Sequence, residues 1–214
     1  MSLFSGASPS EGFPVIAQLP WSADPDSARL SAYRLLAKES SISYDLAAWL
    51  TSLEPSQIDF IIERSVERPS HYKWLLGGNR RSYLVWLHQY KSPEEFARAD
   101  RFAASVHDHR LWFTSRVISG ALHVTWYGLE ISGETAPLKI LRRRRLSIGM
   151  VVQMNPEEIH KIDNVEDGTL SLVIQGPAER HFSTVFGLSD GSMVRKYDLD
   201  ALYPNLVAEL DTER

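Results

Sequence analysis

Two histidines separated by one residue are the part of this sequence best suited to chemistry. His107 and His109 flank Asp108 just ahead of an apolar run. In extended backbone, successive side chains point to opposite faces, so the two imidazoles share one face and Asp108 points away. His160 lies in a second apolar run, and a third imidazole from a distant strand would place three nitrogens on one face of a metal. We therefore predict one divalent metal ion, bound by His107, His109 and His160.

The composition limits the ligands and partners of such a site. The chain has 214 residues, a formal net charge of −4 and no cysteine. Without cysteine there are no thiolate ligands, so a metal must use His, Asp or Glu. The negative charge disfavours binding to phosphate backbones, and we expect no nucleic acid partner. We find no apolar run long enough to span a bilayer and no signal-peptide pattern, so we expect no membrane partner and a cytoplasmic location.

The elements that must position the histidines follow from the periodicity of the chain. Residues 1–70 combine a Gly- and Pro-rich arm, on the surface or mobile, with helical periodicity over 24–67. Residues 71–200 contain eight or more short β-rich runs, typical of a compact antiparallel barrel, and residues 201–214 form a C-terminal tail. The predicted strands are 83–90, 113–118, 121–127, 139–146, 150–154, 169–175, 182–186 and 193–197.

The spacing around the histidines matches two known motifs. Gly149, His160 and Asn164 match the second cupin motif, and His107, His109 and Gly120 match the first. The sequence therefore resembles the cupin superfamily (RmlC-like). This resemblance implies a mainly β fold, a double-stranded β-helix or jelly-roll-like barrel, here with an N-terminal helical segment. Cupins commonly form dimers, and the sequence leaves open whether this chain forms a homodimer.

The carboxylate ligand of the cupin motif is missing from this chain. The position of the motif's glutamate falls on Phe113. Cupins that keep the glutamate hold manganese, iron or other ions with three histidines and a carboxylate. The resemblance therefore implies three neutral histidines here, with the open coordination positions filled by water.

Within the superfamily, the stretch that begins at Arg81 resembles the cysteine dioxygenase group of thiol dioxygenases. The His-Asp-His pair is the usual form in that group, and Trp112 follows it at a common distance. Arg81 occupies the position of the arginine that binds the substrate carboxylate, although a one-residue shift in register would give that role to Arg80. The active-site tyrosine falls on Gln175. The resemblance thus implies Arg81, Gln175 and Trp112 as catalytic residues.

The function implied by this resemblance is an iron(II) dioxygenase acting on a small sulfur-containing or amino-acid-like substrate. Manganese, nickel and zinc are the other metals considered. Three histidines on one face leave room for a bidentate substrate beside dioxygen, and neutral ligands favour an anionic substrate. Two alternatives stay open: a non-catalytic metal- and ligand-binding module, and a cupin isomerase or lyase that uses the metal as a Lewis acid.

Two further features carry chemistry of lower specificity. The run Arg142–Arg145 is interpreted as a solvated strand whose alternate arginines pair with carboxylates. His123 alternates with apolar neighbours and is the best candidate for an additional residue of the pocket.

Overall fold

The computed structural model describes residues 2–79, 81–99, 105–130, 137–188 and 192–196. Arg80 and the tail 201–214 lie outside these ranges. The helices are α1 Pro14–Ala17, α2 Pro25–Lys38, α3 Ile42–Thr51, α4 Pro55–Arg64 and α5 Pro93–Arg98. The strands are β1 Val66–Glu67, β2 His71–Asn79, β3 Tyr83–Tyr90, β4 Val106–His107, β5 Leu111–Ser119, β6 Ala121–Leu129, β7 Leu138–Ser147, β8 Val151–Met154, β9 Ile159–Val165, β10 Leu170–Ala178, β11 Ser183–Phe186 and β12 Met193–Lys196.

The strands form two six-stranded sheets. The first has the order β1-β2-β3-β10-β5-β8, and the second has the order β12-β11-β4-β9-β6-β7. Apart from the β6–β7 hairpin, successive strands from β3 to β10 alternate between the sheets. This alternation is that of a jelly roll, the two-sheet architecture that cupins use. The chain folds as a cupin-type barrel, as predicted from the sequence.

The turn between β5 and β6 explains one of the motif glycines. Gly120 has a φ of +64°, a left-handed conformation that costs glycine little. A Cβ atom at this position would also collide with the side chain and backbone of Thr169. Thr169 itself accepts a hydrogen bond from the backbone N–H of Ala121 at 3.1 Å. The turn therefore requires glycine for both its conformation and its packing.

The outer face of the first sheet is covered by the N-terminal segment. The indole rings of Trp21 and Trp112 stack at 5.5 Å between centroids, and Phe13 is fully buried against the same cluster. The guanidinium of Arg116 on β5 donates hydrogen bonds to the backbone carbonyls of Leu36 and Glu39 at the end of α2. Apolar side chains of the segment 2–22 therefore pack on the sheet as part of the hydrophobic core.

The space between the sheets is apolar at one end and polar at the other. At the apolar end, the Phe96 ring of α5 lies 6.4 Å from Tyr90, among buried aliphatic residues of both sheets. The polar end contains the three predicted metal ligands. Within the described residues, no helix is both long enough and apolar enough to cross a membrane.

We predict that Trp21→Ala destabilises the protein by about 3–5 kcal/mol, because it empties a buried site against the outer face of the sheet. The Trp21 side chain also donates a 2.8 Å hydrogen bond to the Ile16 carbonyl. Tyr44→Ala, at a side chain that is 77% exposed, is the matched control and should change stability little. The measurement is urea unfolding, and equal effects of the two variants would contradict the packing role.

Candidate metal centre

The register of β4 and β9 brings two of the predicted ligands together. His107 and His160 are direct cross-strand partners, and their ring centroids lie 4.7 Å apart. Trp126 is the partner of His160 on the other side, and it packs into the core between the sheets. Both histidines are 3% exposed. The pair therefore projects from the second sheet into the barrel.

His109 completes the triad from the chain just beyond β4. Its Nε2 atom lies 3.5 Å from Nε2 of His160, and its ring centroid lies 4.8 Å from that of His107. One ligand atom from each of the three histidines can be chosen so that all lie within 4.8 Å of one another. The structure thus brings together the three residues that the sequence predicted.

Hydrogen bonds to backbone carbonyls orient two of the imidazoles. Nδ1 of His107 lies 2.9 Å from the Ser105 carbonyl, and Nδ1 of His160 lies 3.3 Å from the Glu158 carbonyl. A proton on each Nδ1 leaves the Nε2 lone pair free for a metal, the tautomer found in most metal-bound histidines. Ligand atoms about 2.1 Å from one metal ion lie roughly 3 Å apart. The separation of 3.5 Å between the Nε2 atoms of His109 and His160 is close to this value, and three imidazoles are a donor set that fits a divalent metal ion.

The surroundings keep the triad neutral. Burial lowers the pKa of His107 to about 4. Burial, together with the charge of His107, lowers the pKa of His160 to about 3. Burial also holds the pKa of His109 well below its usual range, and nearby histidines and Lys73 lower it further. Neutral imidazoles are the form that binds metals, so the site is ready for a metal ion at neutral pH without losing protons.

Asp108 points away from the triad, as predicted, and fixes its backbone. Its carboxylate accepts hydrogen bonds from the backbone N–H of Thr184 on β11 and, at 2.9 Å, from Nη1 of Arg180. The same guanidinium donates to the carbonyl of Pro156 at 3.2 Å, and the His109 backbone N–H donates to that carbonyl at 3.0 Å. Arg180 was not singled out in the sequence because it lies 72 residues from Asp108 along the chain.

The first sheet faces the triad with Phe113 and Gln175. The Phe113 ring stands edge-on to His109 with centroids 5.0 Å apart, so the motif's missing glutamate is replaced by an apolar wall. Gln175 is the cross-strand partner of Phe113, and its Oε1 accepts a 3.1 Å hydrogen bond from Nε1 of Trp86. Gln175 therefore shares the inner face of the sheet with Phe113.

Trp112 and Arg81 are not brought to the triad. Trp112 neighbours Phe113 on β5 and therefore faces the opposite side, where it is fully buried against Trp21. Its role in the structure is packing under the N-terminal segment. Arg81 is exposed in the turn between β2 and β3, with its backbone N–H bonded to Asn79 Oδ1 at 3.1 Å. Its proposed role in substrate binding stays a prediction.

Two further polar residues lie on the inner face of the first sheet. Lys73 and His88 are cross-strand partners on β2 and β3. The Lys73 ammonium lies 4.5 Å from the centroid of the Trp86 ring, which faces the same interior. The alternating pattern of β3 could have placed His88 inside the barrel, but β2 was not predicted as a strand, so Lys73 had no assigned face.

The features of lower specificity lie at the edge of the second sheet, where Arg145 and His123 are on its outer face and Arg142, the cross-strand partner of Trp126, is on the opposite face. Arg145 forms a bidentate ion pair with Glu166, with N–O distances of 2.6 and 2.7 Å, and Arg142 lies 3.7 Å from Glu158. This agrees with a solvated strand whose arginines pair with carboxylates. His123 lies 3.4 Å from the same Glu166 carboxylate on that outer face. The prediction that His123 lines the pocket is therefore wrong, because its strand turns the other set of alternate residues inward.

Comparison with known proteins finds distant structural neighbours. No family model matches the chain, and no curated protein matches it. Similar solved structures include KdgF from Halomonas sp., with 16% identity over 53% of this chain and 86% of that chain at a TM-score of 0.38. An RmlC-like cupin from Shewanella frigidimarina has 19% identity over 54% of this chain and 86% of that chain, at a TM-score of 0.34. Oxalate decarboxylase from Bacillus subtilis has 14% identity over 70% of this chain and 34% of that chain, at a TM-score of 0.38. The fold assignment rests on the strand order described above.

We predict that the metal-free protein loses stability as the pH falls from about 6.5 to about 4. The pKa values of His107 and His160 are lowered by folding, so in this range the unfolded chain binds protons that the folded chain does not. Each buried histidine contributes up to about 1.4 kcal/mol per pH unit. Urea unfolding in a chelating buffer should therefore give a shallower pH dependence for His160→Gln than for the wild type. Equal slopes would show that His160 is not held neutral.

We also predict that Asp108→Ala lowers metal affinity by about 10–100-fold, because it releases the backbone that carries two of the ligands. Asp163→Ala is the matched control, since Asp163 also accepts a hydrogen bond from a threonine, Thr125, but on the outer face. Competition with a chromophoric chelator measures both affinities. An unchanged affinity in Asp108→Ala would remove its positioning role.

Proposed function

We propose that this protein is an iron(II)-dependent dioxygenase of the thiol-dioxygenase type, acting on a small anionic substrate. The observation that carries the proposal is the triad itself: His107, His109 and His160 converge inside the barrel, and Phe113 stands where a carboxylate ligand would be. The coarser statement, a cupin fold with a three-histidine site able to hold a metal, follows from the structure alone.

The neutral ligand set favours this class of chemistry. A divalent iron ion, when bound, would offer open coordination positions at which a thiolate or carboxylate and dioxygen can be held side by side. Because His107, His109 and His160 add no negative charge, the site would attract anionic donor groups. Imidazole ligands bind iron(II), zinc and nickel, so the choice of iron(II) is itself part of the proposal.

The chain's own residues would shape the space around the substrate. Phe113 closes one side of the triad with an apolar ring, and Gln175 places an amide on the same inner face. The Gln175 amide oxygen accepts from Trp86, which leaves its amide N–H groups to donate to a bound substrate. Gln175 thus orients substrate in this proposal, and unlike a tyrosine it carries no acidic hydroxyl. Ordinary cysteine should therefore be a poor substrate.

Oxygen consumption tests the proposal directly. Protein purified anaerobically and loaded with iron(II) should consume dioxygen in the presence of a small thiol acid, and the His160→Ala variant should not. The analysis of product by mass spectrometry should show two added oxygen atoms. If substrate is turned over without oxygen, the isomerase or lyase alternative is favoured. If ligands bind without turnover, the binding-module alternative is favoured.

We predict that Phe113→Glu increases metal affinity by at least about tenfold, because it adds a charged ligand to a neutral site. Phe113→Gln is the matched control and should increase affinity much less, since an amide carries no charge. Metal titration by isothermal calorimetry compares the two variants. Equal affinities for both would show that position 113 does not face the metal. Phe113→Glu should also reduce oxygen consumption, since the carboxylate fills a position that substrate or dioxygen needs.

A further inference from the structure

A lysine inside the barrel has no role in the proposed metal site. Lys73 pairs with His88 across β2 and β3, but its side chain leans over the ring of Trp86, with the ammonium 4.5 Å from the ring centroid. Along β3, Trp86 lies between His88 and Leu84, and Leu84 is the cross-strand partner of Gln175. The cation therefore leans towards the end of the barrel that holds the triad.

Lys73 forms no ion pair with a carboxylate in the described part of the chain. Burial and the charge of Arg68 lower its pKa to about 8. The ammonium thus remains mostly protonated at neutral pH, although the fold gives it no anion. Lys91 at the end of the same sheet differs, since its ammonium lies 2.5 Å from the Glu67 carboxylate. An unpaired cation that is largely removed from water weakens a fold, so Lys73 is not explained by stability.

His88 provides a second unsatisfied group on the same inner face. Its Nε2 atom is inaccessible to solvent and has no hydrogen-bond partner among the residues that the structure describes. Burial, with the charges of His71 and Lys73, holds its pKa well below the usual range, so the ring is neutral. A neutral imidazole can donate one hydrogen bond or accept one. Lys73 and His88 therefore present a cation and an unsatisfied polar atom from adjacent strands of the same inner face.

We propose that Lys73 and His88 form an anion-binding subsite inside the barrel, which holds the carboxylate of a small organic acid. The subsite depends on the proposed function only for the other end of that acid, which would reach the three histidines. The ammonium supplies charge and up to three hydrogen-bond donors, and the His88 Nε2–H tautomer supplies another.

The strand geometry limits the length of the acid. The Lys73 ammonium lies over Trp86, whereas Gln175 and Phe113 flank the triad one inner-face row further along. Successive inner-face rows are about 7 Å apart along a strand. An acid with its second donor atom two or three carbons from the carboxylate would bridge this gap. The proposal thus specifies a short carboxylic acid with one terminal donor atom.

Anion binding by the metal-free protein tests the subsite separately from oxygen chemistry. Propionate, which has a carboxylate and no metal-binding tail, is titrated into chelator-treated protein and followed by ¹H–¹⁵N NMR spectra, with n-propanol as the uncharged counterpart. The wild type should bind propionate more tightly than propanol. Lys73→Met should weaken propionate binding at least tenfold, whereas Lys91→Met should leave it unchanged. Arg81→Met distinguishes this subsite from the carboxylate role predicted for Arg81.

Three results would overturn the subsite. They are no preference of the wild type for propionate, unchanged binding in Lys73→Met, and loss of binding in Arg81→Met equal to that in Lys73→Met, which would assign the carboxylate to Arg81. The binding experiment uses metal-free protein, so its results stand even if the iron-loaded protein consumes no oxygen. Conversely, oxygen consumption with normal propionate binding in Lys73→Met would support the proposed function and reject this subsite.

Thermal unfolding shows whether Lys73 has a structural role instead. Removing an unpaired buried cation should raise the Tm of Lys73→Met by a few degrees, about 2–8 °C. Lys73→Arg should retain preferential propionate binding, because it keeps the charge. A lower Tm in Lys73→Met together with lost binding in Lys73→Arg would show that the lysine supports the fold and would reject the subsite.

Discussion

The pairing of His107 with His160 is the constraint on which the candidate site depends. β4 has only two residues, Val106–His107, and it meets β9 through this one pair of residues. A slip of one residue would turn His107 to the outer face and Val106 inward. So short a strand cannot fix its register through its own ladder. The hydrogen bonds of Asp108 to Thr184 and Arg180 supply the missing constraint, which makes that buried carboxylate as important to the site as a ligand.

The interior of the barrel combines two environments with opposite energetic effects. Around Phe96 and Tyr90 it is a closely packed apolar core, which stabilises the fold. Around the triad it holds several histidines in the neutral form and one lysine without an anion, and each of these groups weakens the fold when protons are abundant. Functional sites commonly carry such a cost, which the rest of the fold offsets. Here the offset comes from the apolar end and from the N-terminal cover.

Much of the barrel and the triad could be predicted from the sequence, because the alternation of strands and the turn glycines are local signals. β2 was missed because its pair Gly77-Gly78 resembles a turn, although both glycines lie within the strand. β4 was too short to show any period. The arm at residues 1–22 was expected to lie on the surface or be mobile, yet Phe4 and Phe13 are buried, since their apolar partners come from a sheet distant in sequence. Pairings across strands, such as Lys73 with His88, cannot be read from one strand alone.

The N-terminal cover on the outer face limits which partners a polar side chain of the first sheet can have. Strands buried on both faces are apolar almost throughout, as in Leu172, Val173 and Ile174 of β10, which are each no more than 3% exposed. Where such a sheet is covered, a polar side chain needs a partner within the protein. On the outer face Arg116 finds the carbonyls of Leu36 and Glu39, and on the inner face the partner must lie inside the barrel. Gln175 has Trp86 as a partner, whereas Lys73 and the Nε2 atom of His88 lack one of the right kind. Strand alternation turns Lys73 and His88 inward, and the N-terminal segment buries the opposite face, so a ligand for these polar groups would lie inside the barrel.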